Sequence, residues 1–148
     1  METIIRQGAI SDSEQAVDVL RQSIIQLCGI DHQDDGGKIA EWLSNKTTAS
    51  WAEWVNRKDA KVLVAECAEK ILGVGMVNDK GEILLNYVCP EARFRGISKA
   101  ILLALESWVI SRGIEICFLK STLTARRFYE SSGYMASADN ANKFYKRL

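Results

Sequence analysis

The chain has 148 residues, which is room for one domain and not two, so residues 1–148 are expected to fold as a single unit. Its 47% hydrophobic and 26% charged residues match a globular average, which excludes a disordered segment and predicts a real core. Nineteen basic side chains balance nineteen acidic ones, so neither nucleic acid nor a membrane surface is expected as a partner.

Cys28, Cys67, Cys89 and Cys117 lie far apart with no C-x-x-C pair, and His32 is the sole histidine. Neither a metal site nor a disulfide framework is expected from that spacing. The opening Met-Glu-Thr-Ile-Ile-Arg has no signal-peptide character and no apolar run reaches membrane-span length, so a cytoplasmic protein is expected.

In chain order, Thr3 to Gly8 reads as a first strand. Asp12 or Ser13 then caps a helix with Ala16, Val17, Leu20, Ile24 and Leu27 on one face. The segment Asp31 to Gly37 is polar and glycine-bearing, and is predicted as a surface loop. Two short helices follow, around Ile39 to Leu43 and Ala49 to Val55, carrying Trp42, Trp51 and Trp54. Val62 to Ala65 and Ile71 to Val77 read as an antiparallel hairpin, and Glu82 to Val88 as a third strand. Pro90 ends that strand, and a helix from about Ser98 to Arg112 stops at Gly113. Ile114 to Leu119 is a buried strand, Thr124 to Ser132 a helix, and Tyr134 onward a closing pair of strands. This order predicts an α/β fold, a mixed sheet with helices on both faces and one parallel pair joined by a right-handed crossover.

The stretch from Tyr87 to Ala100 carries the chemistry. A strand ends there, and a short loop with Arg93, Arg95 and Gly96 leads into a helix. The first N–H groups of a helix lack intrahelical partners and sit at its positive pole, which are the conditions for holding an anion. Gly73-Val-Gly75 lies inside a strand with no helix after it, so a dinucleotide site is rejected.

Arg93-x-x-Gly96-x-Ser98 behind this strand end resembles the acetyl-CoA signature of the GNAT acetyltransferase superfamily, R/Q-x-x-G-x-G/A. Downstream, Ala125-Arg-Arg-Phe128-Tyr129-Glu-Ser-Ser-Gly133-Tyr134 resembles that family's A-x-x-F/L-Y-x-x-x-G-F/Y element. The resemblance covers residues from about Lys61 to Tyr134 well and the first sixty in outline. It implies a GNAT-like fold whose parallel strand pair splays to admit the pantetheine arm of acetyl-CoA, the co-substrate. The arm would pair with the backbone of Asn86, Tyr87 and Val88. The pyrophosphate would rest on N–H groups from Phe94, Arg95, Gly96, Ile97 and Ser98, with Arg93 or Arg95 pairing a phosphate. Tyr129 would protonate the departing thiolate as general acid.

Three positions depart from the family pattern. Ser98 stands for a glycine or alanine, Thr122 for an asparagine that would bond the pantetheine, and Cys117 for the glutamate of many protein N-terminal acetyltransferases. By the same resemblance Glu82 is the candidate base, with Glu66 and Glu115 as weaker alternatives. The acceptor side would be built by the first helix, the following loop and the tryptophan segments, with Asp31 and His32 drawing in a cationic amine beside Trp42. The implied activity is acetyl transfer to a primary amine of a small molecule or peptide, by a monomer or homodimer. The alternative is a non-catalytic acyl-CoA sensor.

Overall fold

A computed structural model describes residues 2–148. The hairpin strands β2 (Ala60–Cys67) and β3 (Lys70–Asn78) form the spine of a four-stranded antiparallel sheet, flanked by β1 (Ile4–Gln7) and β4 (Ile83–Val88) in the order β1-β2-β3-β4. β3 is buried from Ile71 through Asn78 with no alternation, because helices cover both of its faces. On one side lies α1 (Ser13–Leu27), whose buried stripe is Ala16, Val17, Leu20 and Ile24. On the other lies α5 (Ile97–Ser111), burying Ile101, Leu102, Leu105 and Val109.

Helix α5 sits unusually near the sheet, and the reason is local. A Cβ on Gly73 would stand 2.8 Å from the Ile101 side chain, and one on Gly75 would overlap both Ile101 and Leu105. These glycines therefore serve helix seating, consistent with the rejection of a nucleotide loop at this position. Burying each large aliphatic of α5 contributes about 1.5–3 kcal/mol, so the packed interface outweighs the low strand propensity of glycine.

Three short helices bridge α1 and β2: α2 (Gly29–His32), α3 (Gly36–Leu43) and α4 (Thr48–Asn56). Asp35 caps α3 by accepting from the N–H groups of Gly37 and Lys38, and Thr47 caps α4 through Ser50 N–H. Trp51 is fully buried, and its indole N–H donates to Ala9 C=O at 2.8 Å, anchoring α4 to the turn before α1.

Beyond α5, β5 (Ile116–Lys120), α6 (Arg126–Ser131), β6 (Met135–Ala136) and β7 (Lys143–Arg147) complete the chain. The last strands make a second sheet, ordered β5-β7-β6 and antiparallel. The two sheets touch at a parallel bridge between Glu82 and Phe118, where Phe118 N–H donates to Gly81 C=O at 2.9 Å. From that point β4 and β5 belong to separate sheets.

Two local expectations are corrected. The predicted loop from Asp31 opens inside α2, and His32 in it is 1% exposed. Asp12 holds the position before α1 but does not cap it with its side chain. Its carboxylate instead takes the Arg6 guanidinium through two hydrogen bonds (2.8 and 2.9 Å) and Ala9 N–H (2.8 Å), because a full positive charge outcompetes a helix amide.

Candidate functional site

A cavity of about 380 Å³ opens where β4 and β5 part, walled by β4, the N-terminus of α5, the end of α1 and the turn into α6. Leu84 makes a bulge in its wall: Val77 faces Ile83 and Met76 faces Leu85, leaving Leu84 unmatched in the ladder. A bulge bends its strand and offsets the side-chain alternation on either side of it.

The mouth of the cavity is the start of α5. Gly96 is the residue before the helix, at φ +77°, and no side chain caps the helix. The first helical hydrogen bond runs from Ala100 N–H to Gly96 C=O, so the turn before it presents free N–H groups. A Cβ on Gly96 would meet nothing within 4 Å, which leaves a cradle over the helix pole. Phe94 also has positive φ (+64°) and is 93% exposed, its ring stacked under the Arg93 guanidinium at 4.8 Å. Arg93, Phe94, Gly96, Ile97 and Ser98 line the cavity, whereas Arg95 is exposed in the loop outside its wall. Ser98 lies inside the helix and does not cap it; its carbonyl accepts from Asn86 Nδ2 at 3.3 Å.

Deeper in, Asn86, Tyr87, Val88, Thr122 and Tyr129 share the wall. Thr122 Oγ1 also accepts Ala125 N–H at 3.2 Å, closing the turn into α6. Asn86 Oδ1 is buried without a hydrogen-bond partner among the described residues. Tyr129 is 6% exposed, and burial pushes its phenol up to about 12. The Asn86 amide stands close enough to counter part of that rise, yet no hydrogen bond of good geometry reaches Asn86 Oδ1. Behind Tyr129 the ring of Tyr134 packs edge-on at 5.6 Å, and the Tyr134 hydroxyl donates to buried Glu106 at 2.7 Å. Lys146 Nζ donates to both Glu106 oxygens at 3.2 and 3.3 Å.

The structure sets Glu82 apart from the other candidates named from the sequence. Glu82 stands at the joined end of β4 and β5, outside the cavity wall, with its carboxylate taking Asn78 Nδ2 at 3.4 Å. The Asp31 carboxylate accepts the N–H groups of Leu123 and Thr124 and the Thr124 hydroxyl. His32 spends both ring nitrogens internally. Nε2 meets Ile24 C=O at 2.8 Å, and Nδ1 accepts Asp34 N–H at 3.0 Å. Trp42 packs edge-on to His32 in a groove with Lys38 and Lys46, and its indole reaches the Tyr87 phenol of the cavity wall.

Several wall residues went unnoticed in the sequence: Cys28 at the end of α1, the Tyr87 phenol, the Asn86 carboxamide, Lys99 and Lys120. Burial raises Cys28 to about 12, Asp31 adding to the rise and Arg93 opposing it. Burial likewise raises the Tyr87 phenol, with an opposing hydrogen bond from Trp42.

No curated protein matches the sequence. Among solved structures, the chain is similar to the PaiA N-acetyltransferase of Thermoplasma acidophilum, determined in complex with coenzyme A, at 22% identity and TM-score 0.86 over 100% of both chains. A GCN5-related N-acetyltransferase of Rhodopseudomonas palustris aligns with TM-score 0.87 and 19% identity, over 100% of this chain and 97% of the other. An aminoglycoside 6'-acetyltransferase type Ii aligns with TM-score 0.64 and 19% identity, over 97% and 96%. These likenesses show the fold, a mixed α/β architecture shared with GNAT enzymes. The model of the acetyltransferase (GNAT) domain matches residues 14–148, more than nine-tenths of the chain. With that match, the chain belongs to the GNAT acetyltransferase family and is an acyltransferase.

Proposed function

We propose that the chain transfers the acetyl group of acetyl-CoA to the nitrogen of a primary amine by direct attack. One observation carries this reading: a buried phenol, Tyr129, and an unpartnered buried acceptor, Asn86 Oδ1, share one cavity whose mouth is the bare pole of α5. Each fits a different part of the co-substrate. The cradle over Gly96 and the charge of Arg93 suit a pyrophosphate, with Arg95 at the rim. Asn86 Oδ1 suits an amide N–H of the pantetheine arm, with the backbone of Tyr87 and Val88 and the hydroxyl of Thr122 beside it.

At the thioester, the amine lone pair forms the new C–N bond and the C–S bond breaks. Sulfur takes the electron pair and receives the Tyr129 proton. The nitrogen gives up its surplus proton to solvent, and the phenolate is reprotonated in turn. A phenol held near 12 is fully protonated at neutral pH, which is the form a general acid requires. Closing apolar walls around it strengthens that hydrogen bond relative to water.

Saturating acetyl-CoA tests the first half of the reading. A ligand at 100 times its Kd stabilises the folded state by about 2.7 kcal/mol, which for a chain of this size raises Tm by about 5–10 °C. Release of free thiol from acetyl-CoA, dependent on an added amine, tests the second half. An unchanged Tm for demonstrably folded protein removes the acetyl-CoA site. Stabilisation without amine-dependent thiol release makes the chain a binding module instead.

A further inference from the structure

The two sheets part beyond the bridge of Glu82 and Phe118, so the width of the cavity depends on what spans the opening. On the α5 side Glu106 makes the span, taking Tyr134 and Lys146. On the α1 side Asp31 makes it. Asp31 stands on α2, and α2 is a fixed base. Its buried His32 sets Nε2 on Ile24 C=O of α1, and the N–H groups of Asp31 and His32 return to Cys28 C=O at 2.9 and 3.2 Å. From there the Asp31 carboxylate crosses to the turn before α6 and accepts Leu123 N–H, Thr124 N–H and the Thr124 hydroxyl. The next N–H, that of Ala125, goes to Thr122 Oγ1. Three consecutive amides are thus held by side chains, two of them by one carboxylate. Tyr129 follows one helical turn later, its N–H on Ala125 C=O at 3.2 Å. With six residues, α6 is too short to hold its place by helix propensity. The turn that starts it and the packing of its rings therefore decide where the phenol stands.

We propose that Asp31 is a positioning residue for Tyr129: by clasping the turn at Leu123 and Thr124 it fixes the start of α6, and with it the reach of the phenol to the thioester. This rests on the acetyl-transfer reading of the same cavity. The residue type follows from what the turn presents. Two adjacent N–H groups and a hydroxyl are three donors in one place, and an ionised carboxylate, which only accepts and has about four sites, takes all three. Asparagine there would turn an NH₂ toward one of those donors. The clasp matters to chemistry because reaction geometry is steep in distance, about 1 Å of misplacement costing about 10²-fold in rate. It also acts at a distance from the ligand: Asp31 is absent from the cavity wall, while Cys28 before it and Thr122, Thr124 and Ala125 across from it line that wall.

One readout needs no acceptor: the Tyr129 resonance of protein labelled with carbon-13 at tyrosine Cζ, under saturating acetyl-CoA and assigned through Tyr129→Phe. Asp31→Ala should move or broaden it and leave the signal of Tyr145 on β7 in place. With phenylalaninamide and spermidine as acceptors, kcat should fall by about 10–100-fold for both amines, acetyl-CoA affinity staying within about threefold. Asp31→Asn should fall between Asp31→Ala and the unaltered protein. Thr124→Val, which removes only the hydroxyl, should lose about 3–10-fold in kcat, and Thr124→Ser should recover it. That pair carries the test if Asp31→Ala does not fold. An unaltered kcat in Asp31→Ala and Thr124→Val overturns the proposal. A raised KM for spermidine alone, with kcat and the Tyr129 signal unaltered, overturns it too and makes Asp31 the counter-ion of a cationic acceptor. If acetyl-CoA binds the unaltered protein and neither amine releases thiol, the acetyl-transfer reading fails for these amines, and the Tyr129 signal still decides whether Asp31 places the phenol.

Discussion

Two polar regions lie on opposite sides of the Tyr129 ring, and they are built to opposite rules. Behind the ring, Tyr134, Glu106 and Lys146 pair with one another so that each buried oxygen has a donor. In front of it, Asn86 Oδ1 has no partner and the first turn of α5 has no side-chain cap. An unsatisfied buried polar group costs about 1–3 kcal/mol, so a fold keeps such groups where something else will satisfy them. The closed network holds shape; the open one is where the proposed co-substrate would bind. Changes in front should therefore cost function and spare stability, and changes behind should do the reverse.

The largest effect expected is on turnover. Tyr129→Phe removes only the phenolic oxygen and should lower kcat by about 10²–10⁴-fold while acetyl-CoA affinity stays close to that of the unaltered protein. A thiolate is a fair leaving group, which favours the lower end. Steady-state kinetics together with calorimetric titration check both halves, and an undiminished kcat would take the acid role from Tyr129.

Gly96→Val should come next, with acetyl-CoA affinity reduced by about 100-fold or more. The new methyls enter the open cradle, and a branched residue at φ +77° is strained by about 1–2 kcal/mol, so Tm should fall by several degrees at most. Affinity that survives would place the pyrophosphate elsewhere.

Behind the ring, Tyr134→Phe strips Glu106 of one donor and should destabilise the fold by about 1–3 kcal/mol in denaturant melts. If acetyl-CoA affinity changed more than stability did, the division between the two regions would be wrong.

The smallest effect concerns acid. Arg6, through its side-chain hydrogen bonds, holds the Asp12 carboxyl below its usual range, and the helping bond from Ala9 N–H adds to that against the opposing effect of burial. A folded pKa lower than the unfolded one contributes stability above pH 4 or so that is lost as pH falls through the folded value. Asp12→Asn should accordingly lower Tm by a few degrees at neutral pH, and the gap to the unaltered protein should narrow as pH falls below the ordinary carboxylate range. An equal gap at both pH values would show that the pair contributes no pH dependence.

The open region was far more legible in the sequence than the closed one, and chain distance explains why. Arg93, Gly96, Ser98 and Tyr129 sit in short runs that resemble the family's signatures, on a predicted helix start and a predicted helix. Glu106, Tyr134 and Lys146 are separated by up to forty residues, and nothing local marks which side chains a glutamate on the buried helix face will meet. The same separation hides the partners of Asp31, which lie ninety-two and ninety-three residues on. Glu82 is named from the family's pattern and not from its surroundings, and the structure sets it at the joined end of β4 and β5 with its carboxylate on Asn78. The fold, by contrast, followed from periodicity and turn residues. What was missed is α2, where one turn of helix leaves no periodic trace, the helix caps, and the division of the strands into two antiparallel sheets joined at one parallel bridge.

The glycines at 73 and 75 act on the active cavity without touching it. They let α5 settle onto β3, and α5 carries the cradle at its first turn, while β4 beside β3 carries Asn86 and the Leu84 bulge. The depth of that seat is a gauge. It sets the span between the pole that would grip a pyrophosphate and the phenol that would meet a thioester at the far end of one fixed-length arm. A single methyl added at either glycine would lift the helix, lengthening the measure at one end while every residue that touches the ligand stayed the same.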